Sequence, residues 1–213
     1  MTDMKEILLI GGGGHCRSCI EVIESSKEFK IAGIIDRKHM VGQSILGYPV
    51  IGSDSNLKAL REKYTYAIVT VGQIESNELR KKLFGKIQRL NYVLPVLIAD
   101  SAHVSKHSNI GEGSIVMHQA FVNAGVSIGS NSIVNNGAII EHDCVIGNHC
   151  HVSTNVTLNG GVKINHNTFI GSNSCIIQEL KVASNVCVGA NSTVMKNIAR
   201  KGTYVGSPAQ KIK

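Results

Sequence analysis

The sequence predicts a Rossmann-like α/β domain over residues 1–98, followed by a parallel β-helix over residues 99–213. Two observations carry this prediction. Steps of 18 from Ile110 reach Ile128, Ile146, Ile164 and Val182, and steps from Val116 reach Val134, Val152, Ile170 and Val188. A third set, from Val122, gives Ile140, Leu158, Ile176 and Val194. Ahead of that repeat, short apolar runs alternate with helical ones, as in a parallel sheet covered by helices.

A six-residue period nested in an 18-residue one fits neither an amphipathic helix nor an alternating strand. It fits three short strands forming one triangular coil, with coils stacked at strand spacing. Five coils at roughly 4.8 Å each make a column on the order of 24 Å tall. The aliphatic residues fill the interior. Two positions before each one is a mostly small side chain, as in Ser114, Ala120, Ser132, Ala138, Cys144 and Cys150. Glycine follows many of the aliphatic residues (Gly111, Gly129, Gly147, Gly171, Gly189), which suggests corners with unusual backbone angles. Asn165 and Ala183 occupy the same position, and alanine fits such a corner least well.

In the first domain, the apolar run 7–10 leads into Gly11-Gly12-Gly13-Gly14-His15. Cys16, Cys19, Ile20 and Ile23 then mark a helix face. A strand at 31–35 ends at Asp36-Arg37, and a loop leads to a strand at 48–52. A helix is expected over about 53–63, with Leu57 and Leu60 inward. A strand at 66–71 ends at Gly72, and the next helix places Leu79, Leu83, Ile87 and Leu90 on one side. The last expected strand, 92–98, feeds the repeat. A strand–glycine loop–helix unit binds phosphate through backbone N–H groups at the helix start. The dinucleotide fingerprint is imperfect, because Cys16 stands at the third glycine position. Asp36 could contact a ribose or base, or could simply hold a turn.

Composition narrows the function. The net charge is +7, but the basic residues are scattered and aromatics make up only 4%. Small anionic ligands therefore fit better than nucleic acid. No apolar run approaches the ~20 residues that span a bilayer, so no membrane insertion is expected. The start, Met1 to Glu6, lacks the apolar region of a secretory leader, and a cytoplasmic location is expected. The six cysteines read as core residues without disulfides.

The combination resembles a known family. The Gly11–His15 loop, Asp36, Thr70-Val71-Gly72 and the run 77–82 are similar to the bacterial nucleotide-amino-sugar N-acetyltransferases and sialic acid O-acetyltransferases (PglD/NeuD type). So are Ile140-Glu141-His142-Asp143-Cys144-Val145-Ile146-Gly147, His151-Val152-Ser153 and the ending 204–209. The resemblance covers essentially the whole chain. It implies that the β-helix is left-handed, that the protein is a homotrimer, and that acetyl-CoA lies between neighbouring columns. It also implies that the N-terminal domain holds a sugar nucleotide rather than NAD. The acceptor it points to is the 4-amino group of a 4,6-dideoxyhexose. UDP is favoured, with GDP or dTDP as alternatives, and O-acetylation of a sialic acid is the second reading.

Acetyl transfer to an amine needs a proton acceptor and a donor for the oxyanion. Imidazole suits the first task near neutral pH. His142 follows interior Ile140 by two, which puts it at a corner, and it is flanked by Glu141 and Asp143. The resemblance makes His142 the general base with Asp143 as its orienting acid, and leaves Glu141 structural. It places His151 by the thioester, and Gly160, Gly189 and Ala190 along the pantetheine arm. Gly11, Gly13, Gly14, His15, Asp36, Arg37 and Gly72 are expected to bind the sugar nucleotide. Asn123 and Asn135 are candidates for sugar contacts or for structural asparagine stacking. Lys196, Arg200, Lys211 and Lys213 are candidates for the CoA phosphates. No Ser or Cys nucleophile stands at readable spacing from a base, so direct attack is expected, without a metal. A γ-type carbonic anhydrase and a non-catalytic nucleotide sensor are weaker alternatives.

Overall fold

The computed structural model describes residues 4–73 and 76–213. The first three residues, part of the stretch used to judge the leader, lie outside them. The chain divides into two compact units, Met1–Asp100 and Ser101–Lys213.

The first unit runs β1 (Lys5–Ile10), α1 (Gly14–Ser26), β2 (Phe29–Ile35), β3 (Ser44–Ile45), β4 (Tyr48–Gly52), α2 (Leu57–Leu60), β5 (Tyr66–Val69) and α3 (Glu78–Arg89). Its sheet has the order β3-β4-β2-β1-β5. All neighbours are parallel except β3 and β4. β1 is fully buried from Ile7 to Ile10, as a central parallel strand covered on both faces must be. The buried face of α1 is Cys16, Cys19, Ile20, Val22 and Ile23.

Three elements differ from the sequence expectation. The helix expected at 53–63 is a single turn, because Asn56 Oδ1 accepts the Ser53 N–H (2.9 Å) and ties its start into a turn. The strand expected at 92–98 is one bridge between Tyr66 and Val93, and a separate pair at Leu97–Ile98. Pro95 lies between them and has no N–H to donate to a ladder. Leu79 is 53% exposed rather than packed under α3, whose buried face is Arg80, Leu83, Phe84 and Ile87.

The second unit is a parallel β-helix with three faces. From His103 to Val194 each two-residue strand pairs with the strand 18 residues later; Ile128, for example, lies between Ile110 and Ile146. The aliphatic positions from Val116 to Val194 are buried, and they form one continuous core.

The corners work differently from the sequence expectation. Every sixth residue from Gly113 to Asn191 has a φ between 52° and 74°. Glycine or asparagine holds ten of these fourteen positions, the two residue types most tolerant of that region. This position falls three residues after the aliphatic one, not one. Gly111, Gly129, Gly147, Gly171 and Gly189 are glycine for a different reason. A Cβ on Gly111 would lie 2.6 Å from Ser130 N, and one on Gly171 would lie 2.5 Å from Ala190 N in the next coil. Close coil stacking, not backbone angle, excludes the side chain there. The corner at Ala183 carries no left-handed strain, because its left-handed residue is Asn185.

The small residues before each aliphatic one also do more than save space. Ser132 Oγ donates to the Gly147 carbonyl (3.0 Å) and accepts the Cys150 N–H (3.1 Å). Ser114, one coil earlier in the same column, and Ser174, in another, make the same two bonds. Buried corner amides and carbonyls thus gain partners that the short strands alone do not give them.

Replacing Gly171 with alanine should lower stability by about 1–3 kcal/mol, since its neighbour is fixed backbone. Gly85→Ala in α3 should raise stability by about 0.5–1 kcal/mol, because nothing but the Arg89 tip lies within 4 Å. Urea unfolding of each variant beside the parent measures both.

Candidate active site

In the first unit, the carboxyl ends of β1, β2 and β5 open onto a crevice. β2 and β5 lie on opposite sides of β1, which makes this the point where strand order reverses and where open α/β sheets bind ligands. The crevice has two lobes. The first, about 410 Å³, is lined by Gly11, Gly12, Gly13, His15, Asp36, Arg37, His39, Met40, Thr70, Val71, Gly72 and Leu79. The second, about 420 Å³, shares Gly11, Asp36, Arg37, Val71 and Leu79 and adds Ile35, Lys38, Ser53, Asp54, Ser55 and Leu83. The sequence-predicted Gly11, Gly13, His15, Asp36, Arg37 and Gly72 therefore converge, whereas Gly14 opens α1 without lining either lobe. His39, Met40, Asp54 and the exposed Leu79 were missed. The first three lie in loops or turns that no periodicity marks, and periodicity placed Leu79 in the core rather than at the crevice.

The glycine loop is held from behind. Gly11 has a φ of 111° and its N–H donates to the Ile35 carbonyl (2.8 Å), while Thr70 Oγ1 donates to the Gly11 carbonyl (2.6 Å). Asp36 Oδ2 accepts the Gly12 N–H (2.9 Å) and Oδ1 accepts the Arg37 N–H (2.7 Å). Asp36 is thus a clip between the loop and the end of β2. Helix α1 starts with no side-chain cap and no acidic residue in its first turn, so its positive end faces the crevice without competition. Burial and the nearby Arg80 guanidinium lower the His15 pKa from 6.5 to about 4, which keeps the imidazole neutral beside the glycine loop.

In the second unit, the corner after Ile140 carries His142 and Asp143. His142 Nδ1 lies 2.9 Å from Asp143 Oδ2, and both side chains are largely exposed. Asp143 occupies the left-handed position, with φ 60°. The backbone here is clamped by its neighbouring coils: the Asp143 N–H donates to the Ala124 carbonyl (3.1 Å), and the Gly161 N–H donates to the His142 carbonyl (2.9 Å). Gly160 lies against the imidazole, since a Cβ there would fall 2.6 Å from His142 Nε2. Gly125 clears room for the Asp143 carboxylate in the same way. A carboxylate on Nδ1 leaves Nε2 as the proton acceptor.

Glu141 accepts a hydrogen bond from Asn123 Nδ2 (2.8 Å), and Asn123 Oδ1 accepts the Ala124 N–H (2.7 Å). Asn135 Oδ1 accepts the Asn136 N–H (2.8 Å), which turns its Nδ2 towards His151 Nε2 (3.2 Å). This pairing assigns the His151 ring proton to Nδ1. His151 is buried and meets Phe169 edge-on at 5.2 Å. Both asparagine amides are already engaged within the protein. Gly189 also uses its N–H internally, on the Tyr204 carbonyl (2.8 Å), while Ala190 is exposed. Lys196 and Lys211 line a cavity of about 480 Å³ at the last coil; Arg200 and Lys213 do not.

Cys144 is the thiol closest in sequence to His142. It is buried, donates to the Asn159 carbonyl (3.2 Å), and burial pushes its pKa up to about 11. A thiol held protonated inside the column is no nucleophile. Among the described residues, no three of His, Cys, Asp or Glu converge to hold a metal ion, and no helix is long and apolar enough to cross a membrane.

Comparison with known proteins places both units. Residues 6–87 match the PglD N-terminal domain, and residues 125–160 match the bacterial transferase hexapeptide (six repeats). The acetyltransferase domain of PglB from Neisseria gonorrhoeae FA1090 is 30% identical, with a TM-score of 0.91 over 98% of this chain and 100% of that one. The same domain in complex with acetyl coenzyme A superposes with a TM-score of 0.89. PerB from Caulobacter crescentus, in complex with CoA and GDP-perosamine, is 33% identical, with a TM-score of 0.91 over 98% of this chain and 97% of that one. The UDP-N-acetylbacillosamine N-acetyltransferase of Bacillus subtilis (strain 168) is 29% identical over 114 residues, which is 54% of this chain. That match spans about half of the relative's length, 52%.

The His15 pKa gives a pH prediction. The folded value is about 4 and the unfolded value about 6.5, so the unfolded chain binds the extra proton between them. The contribution of His15 to stability is complete above pH 6.5 and falls away as the pH drops towards 4. Thermal unfolding across that window should show a shallower acid slope for His15→Gln than for the parent.

Proposed function

We propose that this chain, which belongs to the PglD/NeuD-type family of hexapeptide-repeat, left-handed β-helix acetyltransferases, transfers the acetyl group of acetyl-CoA to the 4-amino group of a nucleotide-linked 4-amino-4,6-dideoxyhexose. The carrying observation is the His142–Asp143 pair against Gly160. Asp143 holds the Nδ1 proton, and Nε2 stands in the space that the missing glycine side chain leaves open. The neutral amine attacks the thioester carbon as Nε2 takes its proton. The C–N bond forms, the C–S bond breaks, and the CoA sulfur leaves with the proton that His142 returns. No acyl-enzyme intervenes.

The other assignments are supported by position. In the crevice, the backbone from Gly13 into the start of α1 takes the diphosphate, and neutral His15 and Gly72 flank it. His151 faces the thioester, where it or a nearby backbone N–H serves the oxyanion. Asn123 and Asn135 act by holding Glu141 and His151. The CoA arm runs past Gly160 towards Gly189 and Ala190, with Lys196 and Lys211 near its phosphates. We assign the working form as a cytoplasmic homotrimer. Its support is the family and the exposed Ile139 and Val145 on the outer faces, 40% and 42% accessible.

Thiol release from acetyl-CoA with a panel of nucleotide-linked 4-amino-4,6-dideoxyhexoses and sialic acids tests the reading. Turnover is expected on a nucleotide amino sugar. His142→Ala should lower kcat/KM by about 10²–10⁴-fold, the usual worth of a general base. Asp143→Asn should cause a smaller loss. Turnover on sialic acids alone, or a His142→Ala enzyme within a few-fold of the parent, would overturn it.

A further inference from the structure

The two lobes of the crevice differ in what they offer a ligand. The first has the glycine loop and the start of α1, both suited to phosphate. The second is a slot walled by Ile35, Val71, Leu79 and Leu83, with a polar rim at Ser53, Asp54 and Ser55. A flat ring with a polar edge fits this slot. Leu79 is 53% exposed on the wall of both lobes, an apolar surface placed where a ring would cover it.

The rim has a definite hydrogen-bonding sense. Ser53 gives its N–H to Asn56 Oδ1 (2.9 Å) and its O–H to the same oxygen (3.2 Å). With that proton on Asn56, Ser53 Oγ accepts from the Ser55 hydroxyl (2.9 Å). Lys86 Nζ donates to the Asp54 carbonyl (2.6 Å), which anchors the turn. Of the two carboxylates lining the slot, Asp36 has both oxygens occupied by backbone N–H groups. The Asp54 carboxylate has no hydrogen bond or ion pair among the described residues. The rim is therefore an acceptor surface with one free carboxylate.

We infer that Asp54 reads the nucleobase, and that the base it selects is guanine. The inference rests on the nucleotide-sugar reading of the crevice. Guanine presents N1–H and the N2 amino group side by side, which two carboxylate oxygens can accept together. Uracil and thymine present a single N3–H between two carbonyl oxygens, so a second carboxylate oxygen would face a lone pair. Adenine offers an amino group beside an acceptor nitrogen. Arg37 and Lys38 line the same lobe and supply donors for guanine O6. The expectation of a UDP-linked sugar gives way to a GDP-linked one.

The test is calorimetric titration of the full chain with GDP, UDP, dTDP and ADP, repeated on Asp54→Asn with its unfolding temperature checked. GDP should bind at least ten-fold more tightly than UDP or dTDP. Asp54→Asn should remove that preference while leaving UDP affinity within a few-fold. UDP or dTDP binding as tightly as GDP, or a preference unchanged in Asp54→Asn, would overturn the base assignment while leaving the acetyltransferase reading intact. Failure of every nucleotide to bind would remove both the base assignment and the sugar-nucleotide reading.

Discussion

The second unit depends on the backbone bonds that tie each coil to the next. The Gly129 N–H donates to the Ile146 carbonyl (2.7 Å), and the Gly147 N–H donates to the Ile164 carbonyl (2.8 Å), one coil apart in each case. Strand pairing fixes that separation at roughly 4.8 Å, less than most side chains need if they stack directly. Each position in the hexad therefore has its own size limit. The interior admits one aliphatic residue per strand, and the tight corner admits glycine where the next coil's backbone presses in. The serine columns pair the polar atoms that short strands leave over.

The candidate catalytic corner departs from this regularity at one point and is accommodated by its neighbours. In the column that holds His142, the residue one coil before is Ala124 and the one after is Gly160. An imidazole fits there because both neighbours are small. Asp143 takes a left-handed position that glycine or asparagine holds at most other corners. A non-glycine residue there costs on the order of 1 kcal/mol, less for aspartate than for most. The same φ brings its carboxylate to His142 Nδ1. Local backbone strain and the contact to His142 thus share one residue.

Much of this was legible in the sequence because the β-helix translates directly into spacing. The interior set, the core cysteines and the His142 corner all follow from counting by six. The left-handed positions follow the same count, but they were read two residues early, since Gly129 and Gly147 catch the eye more than Asn131 and His149. Glycine serves two purposes in this column, and composition does not distinguish them. Size alone hid the serine bonds. That Gly160 also lies against the His142 imidazole could not be counted out, because a ring's direction is a side-chain property and spacing carries none. In the first unit, α2 starts four residues late because the Asn56 side chain ties Ser53 into a turn, and it ends in the turn bonds from Glu62 to Ala59 and from Lys63 to Leu60.

On the proposed reading, the crevice separates two recognition tasks. A diphosphate held by backbone at a helix start is read by its charge and not by its base, so such a contact by itself cannot select among nucleotides. Asp36 is the residue a dinucleotide reading would use for the ribose, yet its carboxylate closes the loop onto β2 instead. A Cβ on Gly12 would meet that carboxylate at 2.5 Å and Ile45 at 2.6 Å, so loop and aspartate are fitted to each other. On the same reading, selection among nucleotides falls to side chains beyond the loop. The free groups there lie in the turn before α2, a stretch whose sequence offers no motif and whose role depends on which of its polar atoms the fold has already used.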